Sequence, residues 1–209
     1  MLISQVISLA KAGELQQLAL QDDDAVILGY INLGLVELYK RFILRTEEAI
    51  ITMVGPLSPN ATTYKIDGSD SRVDVDDSID IMSIIAAYDE NSAELSINNE
   101  NDEYSILVPD FQTIQVPYPA EGERISIIYT AGPDWVSSPT DKLRIPISLL
   151  EALLHYVGYR GHGSVDGNIQ SENNTHYQRF EASVLRAQAL GVTTVDDISS
   201  LPTKMLGFK

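Results

Sequence analysis

A chain of 209 residues with 44% apolar side chains is long enough to bury a real hydrophobic core, in one domain or two small ones. The absence of cysteine excludes a disulfide framework, a thiolate zinc site and a thiol nucleophile. A formal charge of −16 argues against non-specific adhesion to nucleic acid, because duplex DNA itself carries about one negative charge per 1.7 Å of axis.

The charge is unevenly placed. Residues 1–46 hold five acids and four bases, and residues 142–209 hold six acids and seven bases. Residues 47–141 hold nineteen acids and three bases, so the whole imbalance belongs to the middle of the chain.

The N-terminal run MLISQVISLAKAGELQQLA lacks a basic leading region and a small-residue cleavage site, so no secretory signal is expected. It reads as two short helical pieces, with Leu2, Val6, Ile7 and Leu9 before Gly13, then Leu15, Leu18 and Leu20. Asp22, Asp23 and Asp24 supply capping oxygens for a helix expected over about Ala25 to Leu44. Its apolar residues Ile27, Tyr30, Ile31, Leu35, Leu38, Tyr39 and Phe42 recur at three- and four-residue spacing and define one buried face. Gly29 and Gly34 are costly inside a helix and mark places where another backbone comes close. Asn32 and Glu37 interrupt this apolar window, which is too short to span a bilayer, and no membrane partner is expected.

From Glu47 the pattern changes to short runs rich in β-branched and aromatic residues: AIITMV, TTYKI, IMSIIAAY, YSILV, FQTIQV and ISIIYT. Turn compositions such as GPLSPN, DENS and NNEND separate them, and IMSIIAAY-DENSA-ELSI reads as a β-hairpin. From Asp141 the helical pattern returns. Leu149, Leu150, Leu153, Leu154 and Val157 form a stripe, and the glycines at 158, 161 and 163 are expected to end that helix. A last helix is expected over about Glu172 to Leu190, with Tyr177, Phe180, Val184, Leu185 and Ala189 facing inward. The predicted fold class is α+β: a helical bundle from residues 1–46 and 142–209 with an inserted antiparallel β domain over 47–141. Residues from about 192 to 209 form an extended tail, and Trp135 is the expected packing anchor where the β unit rejoins the bundle.

Chemistry is sparse. The stretch DGSDSRVDVDDSID, Asp67 to Asp80, holds six aspartates but fails as an EF-hand: counted from Asp70, position three is Arg72, and counted from Asp74, position six is Ile79 rather than glycine. Asp74, Asp76 and Asp80 remain as candidates for a looser calcium site. Val73, Val75, Ile79 and Ile81 alternate with the acids, which suggests an edge strand with its charged face in solvent. His155, His162 and His176 show no H-x-x-x-H spacing, so His155 is assigned to helix packing and the other two to surface polarity. GYRGHGS lacks the G-K-[ST] ending of a phosphate loop, and no G-x-S-x-G elbow occurs. No nucleophile, base and orienter assemble from these motifs, and neither an enzyme nor a cofactor is expected.

The order of VILGYINLGLVELYKRF, a strand-rich middle ending in IIYTAGP, LRIPISLLEALLHYVGYRG and HYQRFEASVLRAQALG resembles the head-to-tail adaptor, or connector, proteins of tailed bacteriophages. That resemblance implies a structural virion protein, assembled in the bacterial cytoplasm. It implies a homo-oligomeric ring of twelve copies that joins the portal protein to the tail or nozzle and lets the genome pass without binding it specifically. It also implies a C-terminal tail that reaches into the portal, which nominates Leu201, Met205, Leu206 and Phe208 as anchors. The rival expectations are another tail-completion or baseplate component and a calcium-dependent surface-binding module.

Overall fold

The computed structural model describes residues 1–18, 23–54, 61–76, 80–165 and 172–195. Among them are four α-helices and two antiparallel sheets, an α+β architecture. The chain divides into two compact units, Met1–Leu44 with the chain from Pro133 onward, and Arg45–Gly132.

In the first unit, α1 (Ile3–Ala12) opens with the Leu2 backbone N–H donating to Gln5 Oε1 at 3.0 Å. Leu15 and Leu18 lie beyond its end in a run of turns and are buried. Helix α2 (Asp24–Arg41) is capped by Asp23, whose Oδ1 accepts from the Val26 N–H at 3.1 Å. It stops three residues short of the expected Leu44. There Phe42 turns extended and bridges Thr194, and the Ile43 N–H donates to the Thr193 carbonyl at 3.0 Å, so the chain near 194 takes over the backbone bonding.

A single 3-10 turn, Ile147–Leu149, leads into α3 (Leu150–Val165), and α4 (Glu172–Ala189) follows. Helix α3 packs on α2 and α4, and Ile27, Ile31, Leu38, Leu149, Leu153, Val157 and Phe180 form a core with no solvent exposure. Arg41 ties α2 to α4. It donates to Glu181 Oε2 at 2.7 Å and to Glu37 Oε1 at 3.0 Å, and its guanidinium lies 4.8 Å from the Phe180 ring centroid. Those carboxylates hold its charge more firmly than usual, mainly through the Glu181 bond.

Several sequence expectations for this unit require correction. Helix α3 runs through Gly158, Gly161 and Gly163 rather than ending there. The reason at Gly158 is close packing: a Cβ would meet His176 Nδ1 at 2.9 Å and Glu14 Cβ at 3.0 Å. At Gly34 side chains, not a backbone, come close, with Leu153 Cδ1 2.6 Å from a virtual Cβ, and at Gly29 nothing lies within 4 Å. On α4 the buried residues are Phe180, Ser183, Val184 and Ala187, whereas Leu185 is 63% exposed and Ala189 is exposed too. Leu185 sits one residue past Val184, about 100° around the helix, and points away from the core. Trp135 is 63% exposed and is no anchor. Its neighbour Val136 is buried instead, clamped within the first unit by the buried Asn32 side chain, which donates to the Val136 carbonyl at 2.9 Å and accepts from its N–H at 3.0 Å.

The second unit begins with β1 (Thr46–Thr52), β2 (Ala61–Lys65), β3 (Val73–Asp74), β4 (Ile81–Tyr88) and β5 (Glu94–Leu95), then continues with β6 (Leu107–Asp110), β7 (Thr113–Pro117) and β8 (Arg124–Ala131). A five-stranded sheet runs β3-β1-β8-β4-β5, and a three-stranded sheet runs β2-β7-β6. The expected hairpin forms, with Ala87 opposite Leu95 and Tyr88 opposite Glu94. The run beginning at Tyr104 becomes a strand only from Leu107, since Asp102 holds Tyr104 and Ser105 in a turn through bonds of 3.0 Å to both N–H groups. Period-two alternation carries the core: Ala49 and Ile51 on β1, Tyr64 on β2, Ile114 and Val116 on β7, and Ile125, Ile127 and Tyr129 on β8 are all buried in one cluster. Among the described residues no helix is long and apolar enough to cross a membrane.

Candidate functional site

The aspartate-rich stretch is built, not loose, over its first half. Gly68 adopts a φ of 78°, a left-handed conformation suited to glycine, and the Ser69 N–H returns to Asp67 Oδ1 at 3.0 Å. Those Ser69 bonds pull the Asp67 carboxyl below its usual value. Asp70 accepts from Arg72 Nε at 2.8 Å and Nη2 at 2.6 Å, a two-pronged pair, and Arg72 lies 4.5 Å from the Tyr64 ring centroid. The Arg72 guanidinium holds the Asp70 carboxyl down to about 2.

The expected edge forms over two residues, while Ile81 opens β4 inside the same sheet. Val73 and Asp74 pair with Ile51 and Ile50 at the margin of the five-stranded sheet, with Val73 buried and Asp74 exposed. Asp76 and Asp80 are exposed as well, while Asp77 and Ile79 lie outside the described residues. Asp74, Asp76 and Asp80 are not among the described residues that converge as metal donors. As a unit, Arg45–Gly132 carries seventeen acids against four bases, net −13.

The convergent polar cluster lies in the helical unit instead. Glu14, in the turn after α1, places Oε1 3.0 Å from His155 Nδ1 of α3 and Oε2 2.6 Å from His176 Nδ1 of α4. The one-atom donors of these three residues all lie within 4.8 Å of one another. His162, two turns after His155, reaches the Glu14 carbonyl with Nε2 at 2.9 Å and stacks on His176 with ring centroids 4.5 Å apart. Burial pushes the His176 imidazole below its ordinary value, against the opposing pull of the Glu14 carboxylate. A cleft of about 340 Å³ opens beside Glu14, His162, Thr175, His176 and Arg179.

Sequence reasoning treated these histidines separately, as packing and surface residues. The available signal was the seven-residue spacing of His155 and His162, which puts both on one side of a helix, with Gly158 and Gly161 between them. Nothing in the spacing pointed to Glu14 or His176. The tail candidates Leu201, Met205, Leu206 and Phe208 lie outside the described residues. Exposed apolar side chains occur in both units, with Trp135 and Ile147 in the first and Tyr104, Phe111 and Tyr118 in the second.

No curated protein matches the chain. A protein-family model described as SU10 adaptor protein matches residues 2–202.

Proposed function

The chain belongs to the SU10 adaptor protein family, a family of phage head-to-tail adaptors, and from that premise we propose that it acts as a ring of copies joining the portal to the tail or nozzle and enclosing part of the DNA channel. The role is structural rather than enzymatic. In this reading the helices from both chain ends form a bundle that builds the ring, and residues 47–141 are a β domain inserted into it. The ring has twelve copies in this reading, and the apolar tail residues Leu201, Met205, Leu206 and Phe208 dock on the portal.

The observation that carries the reading is a match spanning nearly the whole chain, both units included. The charge partition supports it. A channel for DNA works best when its wall does not bind the passing phosphates, and carboxylates outnumber bases roughly fourfold in the Arg45–Gly132 unit, seventeen to four. A heterologous ring needs two different faces on each subunit. Helical ends of near-neutral charge, with exposed Ile147 and Leu185, provide such surface without strong self-repulsion.

The test is electron microscopy of the purified chain mixed with its portal protein. A ring of density at the portal's outer end is expected, and deletion of residues 201–209 should weaken it. Absence of both ring and added density would overturn the proposal.

A further inference from the structure

We infer that Glu14, His155 and His176 form a binding site for a divalent transition metal of the zinc type, which staples the turn after α1 to α3 and α4. The inference does not depend on the adaptor reading. It rests on how three separate segments of the helical unit bring their donors together.

The donor set is two imidazole nitrogens and one carboxylate oxygen. Imidazole suits zinc and its neighbours, whereas calcium and magnesium prefer a shell of oxygens. Zinc–ligand distances of about 2.0–2.2 Å place neighbouring tetrahedral donors roughly 3.3 Å apart. The Glu14 oxygens stand 3.0 Å from His155 Nδ1 and 2.6 Å from His176 Nδ1, and one donor from each residue lies within 4.8 Å of the others, so an ion has to draw the set only slightly together.

Three further observations separate this cluster from an ordinary polar contact. First, His176 Nδ1 is buried and makes no well-aligned hydrogen bond although Glu14 Oε2 stands 2.6 Å away, so a metal ion that displaces the proton between them would give both atoms a directed partner. Second, the groups behind the donors are in place. His155 Nε2 faces Glu151 Oε1 at 3.7 Å, Glu151 is held by Arg186 at 3.1 Å, and metal-bound histidines commonly present their second nitrogen to a carboxylate. His162 positions the Glu14 backbone and the His176 ring from the other side. Third, Gly158 leaves the space in which Glu14 and His176 meet, because a Cβ there would lie within 3.1 Å of both.

The cleft beside His176 supplies room for water as the remaining ligand. Arg179 on its wall is the opposing charge, and the Glu14 carboxylate is the group that offsets it.

The test uses the full chain, stripped with a chelator and titrated with Zn²⁺ by calorimetry in excess Mg²⁺ to suppress binding by surface acids. Co²⁺ serves as a spectroscopic stand-in. The expected result is one tight Zn²⁺ per chain, a four-coordinate Co²⁺ absorption spectrum, and binding weakened at least about tenfold by Glu14→Gln or His176→Gln. The triple variant Asp74→Asn, Asp76→Asn, Asp80→Asn should bind like the wild type. Uptake that Mg²⁺ abolishes, or uptake unchanged in folded Glu14→Gln and His176→Gln, overturns the inference. If those variants do not fold, the wild-type spectrum decides alone: six-coordinate Co²⁺ with only oxygen ligands overturns it.

Discussion

Replacing Gly34 and Gly29 by alanine, one at a time, makes the same chemical change twice in one helix and should shift stability in opposite directions. Alanine is favoured over glycine in a helix interior by roughly 1 kcal/mol, and both positions gain that term. At Gly29 a Cβ meets nothing within 4 Å, so Gly29→Ala should stabilise the helical unit by about 0.5–1 kcal/mol. At Gly34 the new methyl would lie 2.6 Å from Leu153 Cδ1 and 3.2 Å from Tyr156 Cδ1. Leu153 has no solvent exposure, so its end cannot simply swing into water. Forcing a methyl into such a core costs about 1–3 kcal/mol, which outweighs or at best offsets the helix gain. The net expectation for Gly34→Ala is a loss of up to about 2 kcal/mol, or a few degrees in Tm for a chain of this size. Urea and thermal unfolding followed by circular dichroism at 222 nm would measure both variants. A Gly34→Ala protein more stable than wild type, or a Gly29→Ala protein destabilised to the same degree, would refute the reading that close packing against Leu153 and Tyr156 decides the sign at Gly34.

Two other outcomes test the frame of each unit. Asp70→Asn should cost about 1–2 kcal/mol at neutral pH, less than the full value of its shift because the pair borders solvent. Since the Asp70 carboxyl titrates below its ordinary 3.8, at about 2, its contribution is complete at neutral pH, fades as pH falls past the unfolded value and is lost below the folded one. The stability gap between wild type and Asp70→Asn, read by urea unfolding from pH 6 to pH 2, should therefore close on acidification, and a gap that widens would contradict the assignment. Asn32→Ala strands the Val136 N–H and carbonyl in a buried place, at about 1–3 kcal/mol for each unsatisfied group. A urea midpoint indistinguishable from wild type would show that the clamp contributes nothing.

Much of the element order was legible in the sequence because local pattern and tertiary packing agree. The three- and four-residue recurrence of Ile27, Ile31, Leu35 and Leu38 is both a helical periodicity and the face that the core buries. The run IMSIIAAY becomes β4 over its full length, and the hairpin after it forms because DENSA supplies a turn closed by Asp89, whose Oδ1 accepts from Asn91 and Ala93 at 2.8 Å. Trp135, Leu185 and the α3 glycines were misread for a shared reason. Residue type states what a side chain prefers, and a neighbour decides whether that preference is met. Val136 is drawn inward by Asn32, Leu185 falls on the wrong side of α4, and Gly158 makes room for Glu14 and His176.

The sequence by itself determined where helices and strands occur and how charge is partitioned, since both follow from composition and from periods of two or 3.6 residues read along the chain. It also supported the likeness to phage adaptors, which rests on the order of elements. Only the tertiary structure decided that Glu14, His155, His162 and His176 meet, because up to 162 residues of chain separate them and no local period links a turn to two helices. It likewise decided that the aspartate-rich stretch opens with a closed turn organised by Arg72 and that Val73 and Asp74 form a sheet edge, since Arg72 must find Asp70 and the Tyr64 ring together.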